Sequence, residues 1–502
     1  MKTETKKHLT IILVISAILF IARILYVVYY KIDLHSEEAQ YWLWSENLSW
    51  SYYSKPPLIA WMNFLSTSLF GNTELGIRIN AIFIGFILPF SLYFTSKQIT
   101  GNAKAGFISA IVLIGMPFYH YVSVFFTTDS LLILFWLLTL LFAWHAIKST
   151  KMIHWVITGI FLGLGFMSKY TMILFVPFLI LYQFFYKRKS LKQPGIYASL
   201  FIALIVSLPV FIWNLQNEFY GLKHVFSLSG ISKENIGMGE AVLNISEYIV
   251  GQVIILSPFF APFIFRAFIK KKNMQENQHL DALRYLKLSV IFVWSFFFIV
   301  AIKKIEINWL LFVYPAIPII IGLTYLHYRN FSRIIIPAIL SFVFVVIFLV
   351  PLIFDKINGT SLYPPKIDTF YRMSGWEELG NIVTKSIQEY EAEKTFVFSD
   401  NYHIASELSF YIEGNPQTYV INNGRRMNQF DLWKGIEQFK NKVYTAIYVS
   451  GKPAPEELKE NFEEMESHRI YQRSYRGANV QTLHIYVFEN LIRYEPNMST
   501  NY

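Results

Sequence analysis

Apolar residues arrive in runs of about twenty along residues 1–353, separated by short polar turns, and the rhythm changes after residue 354. A helix needs ~20 apolar residues to cross a bilayer, since each residue adds ~1.5 Å and its backbone polar groups must be satisfied internally. That template predicts spans near 9–30, 79–97, 104–121, 129–147, 154–168, 171–186, 196–214, 247–269, 286–302, 308–327 and 333–353. The count is about eleven, because 154–168 and 171–186 are short and abut each other. Residues 354–502 alternate instead. Strand composition at 395–398, 417–421, 444–449 and 483–488 is interleaved with helical patterns at 376–391, 404–412, 432–439 and 455–463, which predicts a small α/β domain. Pro364-Pro365 falls in the linker. The expected fold class is thus a polytopic α-helical membrane protein with about eleven transmembrane helices. Its expected domains are 1–353, with a first outer loop at 31–78, and an extracytoplasmic α/β domain at 354–502.

Composition supports two regions in two solvents. Of 502 residues, 54% are hydrophobic and 16% charged, against about 25% charged in soluble domains. The formal net charge of +10 raises the question of nucleic acid. No basic stripe interleaved with aromatics is present, and the Lys and Arg cluster at helix ends, so topology explains the charge and no nucleic-acid partner is expected. The chain has no cysteine, which excludes disulfides and thiolate metal sites. Lys2 to Lys7 followed by apolar Leu9 to Tyr30 resembles a signal peptide, but its length and the lack of a small-residue cleavage site favour an uncleaved first span.

Lys and Arg also set the expected orientation. With the N-terminus inside, the cytoplasmic turns carry Lys97 and Lys104, Lys148 and Lys151, Lys187 to Lys192, Arg266 to Lys272, and Arg329 and Arg333. The opposite face then receives loop 31–78, the corners at Asp129 and Lys169, loop 215–246, the corner from Lys303 to Asn308, and the whole tail.

That outer face concentrates unusual charge. Asp33, Glu37 and Glu38 crowd the end of the first span, beside the aromatics Tyr41, Trp42, Trp44, Tyr52 and Tyr53. If the segment is helical, Asp33 and Glu37 share one face at a cost of a few tenths of a kcal/mol, and a proton, a cation or a polar substrate would compensate. An amphipathic interfacial helix with solvated carboxylates is the plainer alternative. Asp129, in Thr127-Thr128-Asp129, also reads as a helix N-cap signature. Lys169, Lys303 with Lys304, and Arg78 all break the positive-inside trend. Snorkelling accounts for Lys169 in one reading; a partner such as Asp129 or a bound phosphate accounts for it in the other. Carboxylates and a cationic cradle at the lipid boundary suit sugar transfer from a lipid phosphate. One carboxylate takes the proton of an attacking hydroxyl, and the cations stabilise the departing phosphate.

On these residues the chain resembles the GT-C membrane glycosyltransferases, in the branch of the protein O-mannosyltransferases and lipid A aminoarabinose transferases. The likeness rests on Glu37-Glu38-Ala39-Gln40-Tyr41-Trp42, on Tyr52-Tyr53-Ser54-Lys55-Pro56-Pro57, and on Gly76-Ile77-Arg78, Thr128-Asp129-Ser130-Leu131, Ser168-Lys169-Tyr170 and Asn308-Trp309 in that order. Ala405 to Tyr411 and Gly424-Arg425-Arg426 extend it into the tail. The resemblance implies catalytic roles for Glu37, Glu38 and Asp129, and substrate contacts for Lys55, Arg78, Lys169, Tyr53, Tyr41, Lys303 and Asn308. Lys55 matches a residue that contacts the lipid phosphate, and Asp129 with Lys169 matches an orienting pair. The first acid of the family's pair is usually Asp, so Glu37 leaves the base open among Asp33, Glu37 and Glu38. Related enzymes carry a Glu before the phosphate-binding Lys that is implicated in metal binding. Ser54 stands here, so no metal site is carried over, and a divalent cation stays open as a cofactor.

The implied activity is inverting transfer of a sugar from a polyprenyl-phosphate donor to a lipid, glycan or protein hydroxyl, on the outer face of the cytoplasmic membrane and among its lipids. A transporter or flippase of anionic lipid-linked glycans is the alternative. Paired repeats and Gly/Pro-broken midplane helices, the usual transporter marks, do not stand out in the sequence. A scaffold with an inactive site is a third reading, suggested by Glu37 alone. Asp400, Tyr402, His403, Arg425 and Arg426 are polar enough for a glycan, though solvated loops look the same.

Overall fold

A computed structural model describes residues 2–149, 151–228, 237–269, 277–303, 306–326, 332–359, 361, 363–390 and 392–496. Lys270 to Lys272, Lys304 and Arg329, used above for orientation and charge, lie outside the described residues. The chain divides into two compact units. One holds Met1–Tyr26, Lys55–Ile59 and Arg78–Val346; the other holds Val27–Ser54, Ala60–Ile77 and Ile347–Tyr502.

The first unit is helical and apolar. Among the described residues, five helices are long and apolar enough to cross a membrane: Thr3–Tyr30, Glu74–Thr100, Thr128–Ser149, Met238–Leu256 and His279–Ala301. Bent pairs raise that number to eight, two of them being Pro194–Val206 with Leu208–Gln216 at 54° and Ile307–Val313 with Ala316–Thr324 at 57°. Proline sets these breaks. Pro209 enters the first turn of Leu208–Gln216, Pro315 caps Ala316–Thr324, and Pro117 opens Pro117–Val122 after the helix Ala103–Ile114 has ended. Each removes an N–H donor, and Pro117 also holds the preceding Met116 extended. The apolar stretch 247–269 is likewise two helices, Met238–Leu256 and Ala261–Ile269, parted at Ser257 with φ of 82° before Pro258. Helix breaks at proline, unnoticed in the sequence, therefore do occur. Leu13, Ile18, Ile21 and Leu25 stand exposed on the first helix, where lipid would cover them. The interior is aromatic: Trp136 meets Phe175 and Phe312 at ring distances of 5.0 and 4.7 Å. The chain is a multi-pass membrane protein.

The second unit is built on a five-stranded sheet: β1 (Thr395–Ser399), β2 (Thr418–Val420), β3 (Thr445–Ser450), β4 (Phe462–Tyr475) and β5 (Ala478–Leu491), in the order β2-β1-β3-β5-β4. β2 and β3 flank β1 in parallel, and β5 runs antiparallel to β3 and β4. Alternation assigns the two faces. Val397, Ile447, Val449 and Ile485 pack with Trp376, Leu379, Ile404 and Leu408 of the helices Trp376–Gln388 and Tyr402–Tyr411. Phe396, Phe398, Tyr448 and Phe488 pack on the opposite face with Ile436 and Leu458. The pattern expected as helix at 432–439 forms only 3-10 turns, Gln429–Leu432 and Ile436–Phe439, and that at 455–463 forms the single turn Glu456–Lys459. β4 has no counterpart among the expected strands. Its Glu463, Glu464 and Glu466 are exposed, so the alternation that marks a half-buried strand is missing, as suits a charged edge.

Candidate active site

In the helical unit, three distant segments converge on one carboxylate. Asp129 sits in the first turn of Thr128–Ser149 and is 1% exposed. Lys169 occupies an extended break, φ −157° and ψ 134°, between Met152–Ser168 and the 3-10 turn Tyr170–Leu174. That break frees the side chain from the helix, and its Nζ donates to Asp129 Oδ1 at 2.8 Å and Oδ2 at 2.9 Å. Asn308, in the 3-10 turn Ile307–Val313, donates Nδ2 to Asp129 Oδ2 at 3.4 Å. Snorkelling is thereby excluded for Lys169, which is itself nearly buried. Two of the three ammonium donors of Lys169 go to Asp129. Arg78 is also buried, with its guanidinium 5.3 Å from the Phe125 ring. Lys55 and Lys303 are half-buried, and the Lys303 carbonyl accepts from Asn244 Nδ2 at 3.3 Å.

In the second unit, the acids after the first span divide by task. Helix Ser36–Glu46 starts only after Asp33, so Asp33 and Glu37 do not share a helical face as the sequence suggested. Asp33 instead reaches the helix Trp376–Gln388 and accepts from the N–H groups of Trp376 at 2.7 Å and Glu377 at 3.4 Å. Gly375, the residue at that cap, offers no side chain, and Asp33 supplies the missing acceptor. Burial pushes the Asp33 carboxyl up to about 6, against the pull of those two N–H groups. Glu38 is fully buried and closes a capping box, its Oε2 accepting from the His35 N–H at 3.1 Å while His35 Nδ1 accepts from the Glu37 N–H at 3.2 Å. Glu37 remains half-buried and acts electrostatically on Tyr402 and His403. Burial holds the His403 imidazole down near about 4, with Glu37 opposing. Tyr41, Trp42 and Tyr53 are core residues, exposed by 2% or less. Trp42 packs edge-on against Phe410 at 5.0 Å, and the Tyr53 N–H donates to Gln429 Oε1 at 2.7 Å. Their burial makes them supports of the loop.

Two residues with no site role in the sequence reading emerge beside these acids. Glu407 is fully buried, and its oxygens lack hydrogen-bond geometry, with the Ser36 hydroxyl the side-chain donor beside them. Burial, opposed by Arg473 and reinforced by Asp33 and Glu38, pushes its carboxyl well above the usual range. Arg473 stacks on Trp376 at 3.6 Å and donates to the carbonyls of Ser374 and Arg372 at 2.7 Å. A carboxyl at an apolar position of the helix Tyr402–Tyr411, between Ala405 and Leu408, is the signal that marks Glu407. Among the described residues, no three of His, Asp and Glu gather as a metal site.

This architecture is the GT-C fold of membrane glycosyltransferases. ArnT from Cupriavidus metallidurans bound to undecaprenyl phosphate superposes with a TM-score of 0.66 at 12% identity, over 97% of this chain and 99% of that one. The apo state of the same protein gives a TM-score of 0.64 at 13% identity, covering 95% and 99%. By sequence, residues 54–213 match the family described as Dolichyl-phosphate-mannose-protein mannosyltransferase. The lipid A galacturonosyltransferase RgtD of Rhizobium johnstonii is 29% identical over 232 residues, 46% of this chain and 48% of that protein. Undecaprenyl phosphate-alpha-4-amino-4-deoxy-L-arabinose arabinosyl transferase 2 of Proteus mirabilis is 21% identical over 201 residues, 38% and 36%. The chain thus spans about half the length of the first of these curated relatives and about a third of the second.

Proposed function

We propose that the protein is an inverting glycosyltransferase that moves a sugar from a polyprenyl phosphate to a hydroxyl of a glycolipid acceptor of the lipid A class. The observation that carries the reading is the trio of buried Asp129 and Lys169 with half-buried Asn308, set in a fold shared over nearly its whole length with a protein solved with undecaprenyl phosphate. The names of the two relatives support both donor and acceptor class.

The acceptor oxygen attacks the anomeric carbon as its proton passes to a carboxylate, and the bond to the phosphate oxygen breaks with its electron pair leaving on the phosphate. Glu37 is the base, since Asp33 and Glu38 serve as caps and Asp129 is held by Lys169. Lys55 and Arg78 stabilise the departing phosphate, and Asp129 orients Lys169 for the same purpose. The Lys/Arg bias of the turns supports an N-terminus in the cytoplasm and a reaction on the outer face of the cytoplasmic membrane. Purified Glu37→Gln and Lys55→Ala proteins should keep the wild-type melting temperature and lose about 10²-fold or more in transfer from a polyprenyl-phosphate sugar. Full activity in both would overturn these roles.

A further inference from the structure

The C-terminal sheet has a cavity that sugar transfer, as derived above, leaves unused. β1 lies between β2 and β3, all three parallel. The chain leaves β1 toward one neighbour and later returns to lay β3 along its other side, so the connections part at the carboxyl ends of β1 and β3. In open α/β sheets such a switch point opens a crevice where ligands bind. Here it is a cavity of about 340 Å³. Asp400 follows directly on β1, Asn423 and Arg425 follow β2, and Tyr448, Lys452 and the rings of Pro453 and Pro455 come from β3 and its exit.

Charge narrows the ligand. Arg425 is already engaged, donating to Asp431 at 2.9 and 2.8 Å and to the Ile421 carbonyl at 2.9 Å. One carboxylate, Asp400, which accepts from the Ser399 hydroxyl at 3.5 Å and from the Tyr448 phenol, and one exposed ammonium, Lys452, complete the charge. A phosphate would call for surplus positive charge, and a hard cation for several acidic oxygens. A balanced pair with an exposed amide at Asn423 suits hydroxyl groups. Asp400 accepts from them, Lys452 donates, and Asn423 does either. The proline rings and the buried Tyr448 ring give C–H faces an apolar surface. Burial and its hydrogen bond to Asp400 raise the Tyr448 phenol, which keeps its proton and donates it to Asp400. The volume is at the low end of the ~300–1,000 Å³ typical of small-molecule sites, enough for a sugar unit and too polar for an acyl chain.

We propose that this crevice is a second saccharide site, which takes a neutral sugar unit between Asp400 and Lys452. In the transferase reading, on which only its purpose rests, that sugar belongs to the acceptor glycan. The test uses the full chain in nanodiscs with no polyprenyl donor present. Saturation-transfer NMR is run with glucose, galactose and mannose, and with glucose 6-phosphate and galacturonic acid as charged counterparts. At least one neutral hexose should receive saturation and bind better than the charged sugars. Asp400→Asn and Lys452→Ala should each weaken it about tenfold or more. Lys452 is exposed, so its variant keeps the test valid if Asp400→Asn misfolds. No signal from any neutral hexose, a signal untouched by Lys452→Ala, or preference for the charged sugars would overturn the site. Since no turnover is involved, that failure leaves the transfer reading standing, and loss of transfer in Glu37→Gln leaves the crevice standing.

Discussion

The two units bury charge in opposite ways. In the helical unit one acid meets one base: Asp129 takes both of its short hydrogen bonds from Lys169, with Asn308 completing the set. In the second unit Asp33, Glu38 and Arg473 lie around Glu407, and the donors of Arg473 go largely to carbonyls. Burial, with one largely occupied guanidinium and two further acids nearby, raises the Glu407 carboxyl well above its usual range. The first arrangement matches one acid with one cation. The second uses acids as fasteners: Asp33 caps the helix Trp376–Gln388, the Leu34 N–H donates to the Tyr411 hydroxyl at 2.7 Å, and Glu38 caps its own helix.

The sharpest way to break this contrast is to unpair the matched site. Lys169→Met leaves Asp129 buried without its cation and should cost about 3–5 kcal/mol, read as a fall in melting temperature in detergent. The double variant Asp129→Asn with Lys169→Met should recover most of that stability and none of the transfer activity. Unequal recovery would show that the pair does more than neutralise itself.

The acid cluster should respond to pH instead. The folded carboxyl of Asp33 lies near about 6, above its unfolded value of about 4. The folded state therefore holds more protons than the unfolded one between those values, and its stability falls as pH rises from about 4 to about 6, then levels. Glu407, raised as well, acts in the same direction. Melting temperatures across that window should decline by the equivalent of up to about 3 kcal/mol, and Asp33→Asn should flatten the decline. Asp33→Ala removes the cap and should cost about 1–2 kcal/mol at pH 7. Glu407→Gln should raise the melting temperature at pH 7, because burial holds the Glu407 carboxyl well above its usual range and its ionisation at neutral pH favours the unfolded chain.

Legibility in the sequence followed the same divide. Lys169 stood out because a cation on the expected outer side defies the loop bias, Asp129 because it opens an apolar run, and Asn308 through the resemblance carried by Asn308-Trp309. Their meeting needed three helix interruptions that periodicity does not announce. Glu407 and Arg473 were obscured by ordinary soluble composition, where a charge reads as surface until its burial is known. The strand composition of β1, β2, β3 and β5 was readable, but β4 was hidden by its charged edge. Asp33 looked like a partner of Glu37 and proved to cap a helix that starts 343 residues later.

The most direct test reconstitutes the protein in vesicles with a labelled polyprenyl-phosphate sugar and a lipid A acceptor, and follows both covalent transfer and movement of the donor between leaflets. The account predicts labelled acceptor in wild type, about 10²-fold less in Glu37→Gln, and no protein-dependent movement of the donor. Movement between leaflets with no labelled acceptor would contradict it and make the protein a transporter of lipid-linked sugars.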